Sequence, residues 1–316
     1  MDLIGSLWDL FIGSTLWINR LKSKSHTPYP PAKRVPTFLE ESLNIPKFPL
    51  PSQPEIEIQF HAPTVKDALK YSDINPAEDE ATTTEYLNAM QDGEINDSSN
   101  WTVQDRRTAL WWIFVNSRPD AVMTYSYECG HCGNVHHADI NLSDLAETVE
   151  ILTVPPFIKT MVPINGVPTE WTLKPLTGKG AELLERMRAT LPDMKTPEYS
   201  AEVARLRIAE LALCTSLNDD PEDFTQAANR RFDIIENMAL ETEFTPLVAR
   251  IQLMQKDLRH GLKMAIERGT SRLILPPQRC KNAKEGADVT TTLYAPFLNR
   301  EFIPSIRSEW MANHYQ

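Results

Sequence analysis

The chain has 316 residues, a formal net charge of -11 and four cysteines. Its length is enough to bury a sizeable core, and its acidic balance argues against general binding to nucleic-acid phosphates. Four cysteines, two of them in one short motif, do not make a disulfide framework, which favours a reducing compartment. The 24 prolines against 11 glycines predict stiff, extended connections.

The N-terminal segment, residues 1–21, places its apolar side chains at helical spacing and predicts a short amphipathic helix. No basic stretch precedes it and Asp9 interrupts the apolar run, which argues against a signal peptide or stable membrane insertion. Docking on protein is favoured over docking on a membrane surface, which the nearby Arg20, Lys22 and Lys24 keep as an alternative. The side chains expected to contact a partner are Leu3, Leu7, Trp8, Phe11 and Trp17.

Residues 22–54 contain eight prolines and predict an extended linker. Such a segment has few internal hydrogen bonds and behaves as a semi-rigid spacer of the polyproline type. Together with the apolar helix it would form an arm that reaches a neighbouring subunit. A disordered tail is the alternative interpretation.

Two similar stretches follow, at residues 55–69 and 170–184. Each has an alternating strand pattern, a proline, a threonine, and then Lys-x-Ala with an apolar pair that begins a helix. Thr64 and Thr177 are placed to cap these helices. The sequence therefore predicts an α+β fold of two strand–helix–helix units, at residues 55–150 and 151–293.

Further helices are predicted downstream of each repeated stretch. Residues 102–115 form an amphipathic pattern with Asp105, Arg106 and Arg107 on the solvent side. The acidic stretch 71–105 is interpreted as a solvated loop with one weak helix, or as an interaction face for a basic partner. The other predicted elements are helices at 201–213 and 244–266, a short strand at 273–275, and an apolar docking tail at 294–316 with Phe297, Phe302 and Trp310 as contacts.

Cys129 and Cys132 lie between two β-type runs and are followed by Gly133-Asn134. This pattern predicts a β-hairpin whose turn carries both sulfurs on one side. A thiol–disulfide oxidoreductase has the same Cys-x-x-Cys spacing, but there the motif begins a helix that lowers the pKa of the first thiol. The turn dipeptide and the strand pattern after Cys132 make that interpretation less favoured.

Metal binding is the alternative function for this hairpin. A tetrahedral zinc site needs four ligands. His136 or His137 would supply a third, although adjacent strand residues face opposite sides. Cys214 or Cys280 would have to come from far along the chain. Only one hairpin turn carries a pair of cysteines (a knuckle), so the ligand set is incomplete. The sequence therefore favours a metal-free hairpin with small buried thiols. No cofactor is expected, and zinc is the alternative.

No assembled catalytic motif occurs in the sequence. The phosphate-binding pattern G-x-x-x-x-G-K-[ST], the nucleophile pattern G-x-S-x-G and the metalloprotease pattern H-E-x-x-H are all missing. Acid, base and nucleophile do not converge in any motif. We therefore expect a protein that is not an enzyme and has no small-molecule substrate.

Several motifs occur in a specific order. They are a strand entering a Pro-Thr-x-Lys-Asp phrase (63–67), an acidic helical segment, a helix with Asp105-Arg106, a Tyr-x-Cys-x-x-Cys-Gly motif (127–133) and an Asp-x-Asn-Leu-Ser-Asp-Leu motif (139–145). Over residues 55–215 the chain thereby resembles the baseplate proteins of T4-like contractile-tailed bacteriophages.

The resemblance implies a structural subunit of the baseplate hub, assembled in the host cytoplasm and retained in the virion tail. Its implied partners are other baseplate or tail proteins, including tube and tape-measure proteins, and copies of itself, with no nucleic acid among them. A transient tail-assembly chaperone and a zinc-knuckle regulatory or binding protein are the alternatives.

Overall fold

The computed structural model describes residues 45–267, 270–284 and 289–306, which form an α+β fold of helices and small antiparallel sheets. The predicted N-terminal helix and residues 22–44 of the predicted linker lie outside the described residues. None of the described helices is both long enough and apolar enough to cross a membrane. The predicted docking residues outside the described ranges are Leu3, Leu7, Trp8, Phe11, Trp17 and Trp310.

The described helices are distributed along the whole folded region. In chain order they are α1 (Val65–Lys70), α2 (Asp79–Ala89), α3 (Val103–Asn116), α4 (Gly178–Ala189), α5 (Glu198–Leu213), α6 (Phe224–Glu236), α7 (Thr245–Asp257) and α8 (Asn299–Phe302). Short 3-10 turns lie at Pro76–Glu78, Ser98–Asn100 and Leu142–Thr148, and a π-turn at Leu240–Phe244 precedes α7.

The strands form four small sheets, in each of which neighbouring strands are antiparallel. Two sheets are simple pairs, β1 with β2 and β3 with β4, and two have three strands, in the orders β5-β6-β7 and β10-β9-β8. The strands are β1 (Phe48–Leu50), β2 (Gln53–Ile58), β3 (Val122–Glu128), β4 (Val135–Asn141), β5 (Ile158–Ile164), β6 (Val167–Leu173), β7 (Thr215–Leu217), β8 (Met264–Glu267), β9 (Thr270–Arg279) and β10 (Thr290–Pro296).

The buried side chains divide between two regions of the chain. The first core draws on residues 45–151 and again on residues 262–303. Residues 152–258 supply the other clusters, around Trp171 and Leu184. The second unit is thus inserted between two parts of the first, and its buried residues end near Leu258 rather than at the predicted boundary of 293.

The predicted helix starts follow from local capping chemistry. Thr64 begins α1 and Thr102 begins α3, each in a reciprocal capping box with the residue three positions later. Thr177 also holds the N-cap position of α4, but its side chain makes no capping hydrogen bond. Sequence placed all three helix starts within a residue of where the structure has them.

The predicted solvent side of α3 is wrong for two residues, since Asp105 and Arg106 are fully buried. Asp105 accepts hydrogen bonds from the backbone N–H and the hydroxyl of Ser52 at 2.9 and 2.6 Å. Arg106 Nη2 lies 3.1 Å from Glu80 Oε2, and its Nη1 lies 3.8 Å from Glu182 Oε1. These partners compensate the buried charges, and helical periodicity alone cannot reveal such partners.

The predicted helix over residues 244–266 is also wrong at its C-terminal end. Helix α7 ends at Asp257, and the chain continues through a loop into β8. Gly261 adopts φ +71°, and a Cβ there would lie 2.4 Å from the hydroxyl of Thr108, so only glycine fits. The backbone N–H of Leu262 donates to that hydroxyl at 3.1 Å, which fixes the reversal against α3.

Both ends of the folded region differ from the prediction. Ile45, Phe48 and Leu50 are buried in the first core, so the extended linker gives way to folded structure before residue 54. Phe297 and Phe302 were predicted to contact a partner, but they are buried in the chain's own core with ring centroids 4.4 Å apart. Their apolar area is already removed from water, so they are not available for docking.

Candidate metal centre

The Cys-x-x-Cys motif lies in the turn between β3 and β4, as predicted. Cys129 N–H donates to the carbonyl of Asn134 at 3.0 Å, and Gly133 N–H donates back to the carbonyl of Cys129 at 2.8 Å. Gly133 has φ +69°, a conformation that side chains disfavour. A strand rather than a helix follows Cys132, so this motif lacks the helix N-terminus of thiol–disulfide oxidoreductases.

The β9–β10 hairpin repeats this local arrangement around Cys280. Cys280 directly follows β9, and its N–H donates across the turn to the carbonyl of Val289 at 2.9 Å. Ala283 N–H donates to the carbonyl of Cys280 at 3.2 Å, a bond over three residues where the bond from Gly133 to Cys129 spans four. Ala283 stands three residues after Cys280, where the first hairpin has its second cysteine. The second turn is therefore a knuckle with one sulfur.

The two turns meet and form a cluster of four side chains. Ligand atoms of Cys129, Cys132, His136 and Cys280 all lie within 4.8 Å of one another. Cys132 Sγ lies 3.2 Å from His136 Nε2. Cys129, His136 and Cys280 are buried and Cys132 is half-buried. This Cys3His cluster could hold a metal ion.

The alternation of β4 decides which histidine belongs to the cluster. Residues of β4 alternate between exposed and buried, and His136 faces the buried side. His137 faces solvent, where its Nδ1 lies 2.8 Å from the hydroxyl of Ser126. The prediction of His137 as a ligand is therefore wrong, and Cys280 takes that place.

Cys214, the other distant cysteine considered from the sequence, lies in the second core and is buried. Burial raises the pKa of its thiol to about 12. Such a thiol is protonated near neutral pH and is a poor nucleophile or metal ligand. Cys280 rather than Cys214 therefore belongs to the cluster. The sequence signal that could have identified Cys280 is its position directly after a strand and before a turn.

Backbone groups favour the thiolate form of Cys129. The N–H groups of Cys132 and His131 point at its sulfur and lower its pKa to about 6. At Cys280, burial beside the other sulfurs raises the pKa of the thiol. Closely placed thiolates repel one another, and a bound divalent cation offsets that repulsion.

Neighbouring polar groups join the two turns around the sulfurs. Thr291 Oγ1 accepts a hydrogen bond from Gly130 N–H at 3.2 Å and lies 3.7 Å from Cys129 Sγ. Asn282 Nδ2 donates to Cys132 Sγ at 3.6 Å. Lys281 Nζ donates to the carbonyl of His137 at 2.7 Å. Such outer contacts orient metal ligands, and here they also tie β10 to the first hairpin.

Comparison with known proteins does not assign the chain to a family. No family model, no curated protein and no solved structure matches it. The resemblance to baseplate proteins therefore rests on the order of short motifs in residues 55–215.

Proposed function

We propose that the chain is a structural subunit of a contractile-tail baseplate, in the hub region. We also propose that a zinc ion cross-links its β3–β4 and β9–β10 hairpins. The observation that carries the zinc proposal is the Cys3His cluster. Its ligands come from two hairpins about 150 residues apart in sequence. Four protein ligands fill a tetrahedral shell and leave no position for water or substrate, which is typical of structural zinc.

The donor set favours zinc over other common ions. Thiolate sulfur and imidazole nitrogen suit zinc, whereas calcium and magnesium prefer oxygen. All four ligand atoms lie within 4.8 Å of one another, as a single tetrahedral ion requires. Zinc has no redox chemistry, so its contribution here is to cross-link the hairpins.

Zinc content tests the metal site directly. We expect about one zinc per chain in protein purified without chelators, as a single closed site requires. Replacing Cys280 with Ala should remove the zinc, because a ligand is lost. Cys214→Ala is the matched control, since it removes a buried thiol outside the cluster and should leave the zinc in place. Metal-free wild-type protein, or zinc retained after Cys280→Ala, would contradict the proposal.

The assembly role is supported by the motif resemblance and by the apolar N-terminal segment on its Pro-rich linker. Segments of this kind hold neighbours through linked contacts, each of which adds affinity. In the baseplate the partners would be tube, tape-measure or other baseplate proteins and copies of this chain.

Mass spectrometry of purified tailed particles tests this role. A retained structural subunit is present at constant stoichiometry, whereas an assembly chaperone occurs only in intermediates. A chain lacking residues 1–44 should keep its fold, because the described core begins at Ile45, and should fail to join particles. Normal incorporation of that shortened chain would contradict the docking role of the N-terminal segment.

A zinc-dependent binding module is the second candidate, and the same cluster favours it. His131 and Lys281 are exposed next to the metal ligands and would offer contacts to a partner. Absence of the chain from particles, together with zinc-dependent binding of another protein, would favour this candidate over the baseplate subunit.

A further inference from the structure

The second unit carries an apolar surface patch that surrounds a small cavity. Ile164, Ile234 and Met238 line the cavity, whose volume is about 250 Å³. Val167 pairs with the lining residue Ile164 across β5 and β6, and Leu240 lies two residues after the lining residue Met238; their exposed fractions are 63% and 64%. We call these five residues the cavity patch. Two exposed apolar side chains beside an apolar-lined cavity make this region a candidate binding surface.

The cavity patch is held in shape by one buried carboxylate. Glu243 accepts hydrogen bonds from Gly166 N–H at 2.8 Å and from Ala239 N–H at 3.0 Å. Val167 directly follows Gly166, and Leu240 directly follows Ala239. Glu243 thereby fixes the β5–β6 turn against the π-turn and keeps the two exposed side chains at one rim.

The rim of the cavity patch is acidic. Residues 233–243 contain four carboxylates and no lysine or arginine. Asp233 and Glu241 are exposed there, Glu236 faces Arg205 with 3.8 Å between Arg205 Nε and Glu236 Oε1, and Glu243 is buried. An occupant that fits this surface is apolar where it meets the cavity and basic where it crosses the rim.

The N-terminal segment of the same chain is apolar first and then basic, as such an occupant would be. Residues 1–21 carry the apolar side chains of the predicted amphipathic helix. Residues 20–34 contain five lysines and arginines and no acidic residue. The charge of this stretch is opposite to that of the rim, and it follows the apolar segment directly.

The linker is long enough for the segment to reach the cavity patch of its own molecule. Twenty-three residues, 22–44, separate the apolar segment from the buried Ile45. At about 3.1 Å per residue they span roughly 70 Å. A folded region of this size is roughly 50 Å across. Tethering also raises the local concentration of the segment to about the millimolar range, which favours docking within one molecule.

We propose that residues 1–21 dock on the cavity patch of the same molecule, with the following basic stretch along Asp233 and Glu241. The docked segment keeps its apolar side chains out of water until the segment binds a neighbouring subunit instead. Docking of this kind occurs in the isolated chain, whether or not the chain belongs to a baseplate.

Hydrogen–deuterium exchange of the full chain tests the proposal. Amides of residues 3–21 should be protected in the wild type. Leu240→Ser and Val167→Ser should each speed their exchange by roughly tenfold, because each removes apolar contact area from the cavity patch. Leu69→Ser is the matched control, since Leu69 is 58% exposed on α1, outside the cavity patch. Its exchange at residues 3–21 should equal that of the wild type.

Three results at a single protein concentration would overturn the proposal. They are unprotected amides at residues 3–21 in the wild type, unchanged protection in both patch variants, and equal loss of protection in Leu69→Ser. Dilution separates the same molecule from a second copy, because docking within one molecule does not depend on protein concentration. Protection that falls on tenfold dilution would show that a second copy is the occupant, and would refute docking within one molecule.

Discussion

A single residue type distinguishes the two knuckles of the metal centre. Cys132 supplies the second sulfur of the first turn, whereas Ala283 occupies the matching position in the second. His136, one strand away, completes the ligand set. With His136 in the set, the first hairpin would supply three ligands to a bound ion and the second hairpin would supply one. Cys280 is therefore the ligand on which the cross-link depends.

The two adjacent histidines of β4 should respond differently to substitution. His136→Ala should lower zinc affinity by more than about 100-fold, because even outer contacts to metal ligands are worth 10–100-fold. His137→Ala should leave the affinity near that of the wild type, since its ring faces solvent. Competition with a zinc-binding dye measures both. Equal losses in the two variants would contradict the assignment of His136.

Arg106 should be among the most sensitive side chains of the first unit. Arg106→Leu leaves Glu80 and Glu182 without their buried partner, which costs about 3–5 kcal/mol of unfolding free energy. Arg205→Leu is the control, because its ion pairs are exposed and such pairs are worth about 0–1 kcal/mol. Urea denaturation of both variants measures the difference. Equal stabilities would show that the buried pairs contribute nothing beyond exposed ones.

At the scale of elements, local patterns were predictable and long-range partners were not. The β3–β4 hairpin and the Thr64 cap depend on residues within a few positions, so the sequence predicted them, whereas the Thr102 cap was not predicted. Cys280 was not selected because its partners lie about 150 residues away. The strand β8 was missed because Leu258, Leu262 and Ile266 keep helical spacing, and that spacing outweighed the signal of Gly261.

The contact between the β5–β6 turn and the π-turn should weaken in acid. Backbone N–H groups of Ala239 and Gly166 lower the pKa of Glu243, so the folded state favours its carboxylate. That stability is present above the carboxyl's unfolded pKa and is lost as the pH falls through the lower folded value. Glu243→Gln should therefore destabilise the protein at pH 7 more than at pH 3.

Chemical denaturation at the two pH values measures this difference. Glu241→Gln is the matched control, because Glu241 lies in the same turn and is exposed. It should change stability little at either pH. A Glu243→Gln effect that is the same at pH 3 and pH 7 would refute the role of the ionised carboxylate.

At the scale of the whole molecule, the candidate metal centre brings together the two separated parts of the first unit. Its sulfurs link β3 and β4, before the inserted second unit, to the β9–β10 hairpin after it. Beyond β10, Phe302 packs on Phe114 with ring centroids 5.3 Å apart. The C-terminal part is thus held by the metal cluster at one end and by aromatic packing at the other.

Metal removal should loosen this part of the molecule before the rest. A chelator should speed amide exchange in β9 and β10, because the cross-link to the first hairpin is lost. Exchange in β5 and β6 should change little, since the second unit has its own core. Added zinc should restore protection and added magnesium should not. Uniform loosening of both units would argue against a local role for the metal.

The interrupted first unit also has a consequence during synthesis. Its early residues leave the ribosome well before residues 262–303. The core around Trp111 and Trp112 therefore stays incomplete until those later strands are synthesised. At translation rates of about 5–20 residues per second, the roughly 190 residues from Trp112 to residue 303 take about 10–40 seconds to synthesise. The inserted unit is contiguous and can mature within this interval. A released fragment that ends near residue 260 should accordingly hold a finished second unit beside an open, chaperone-binding first one.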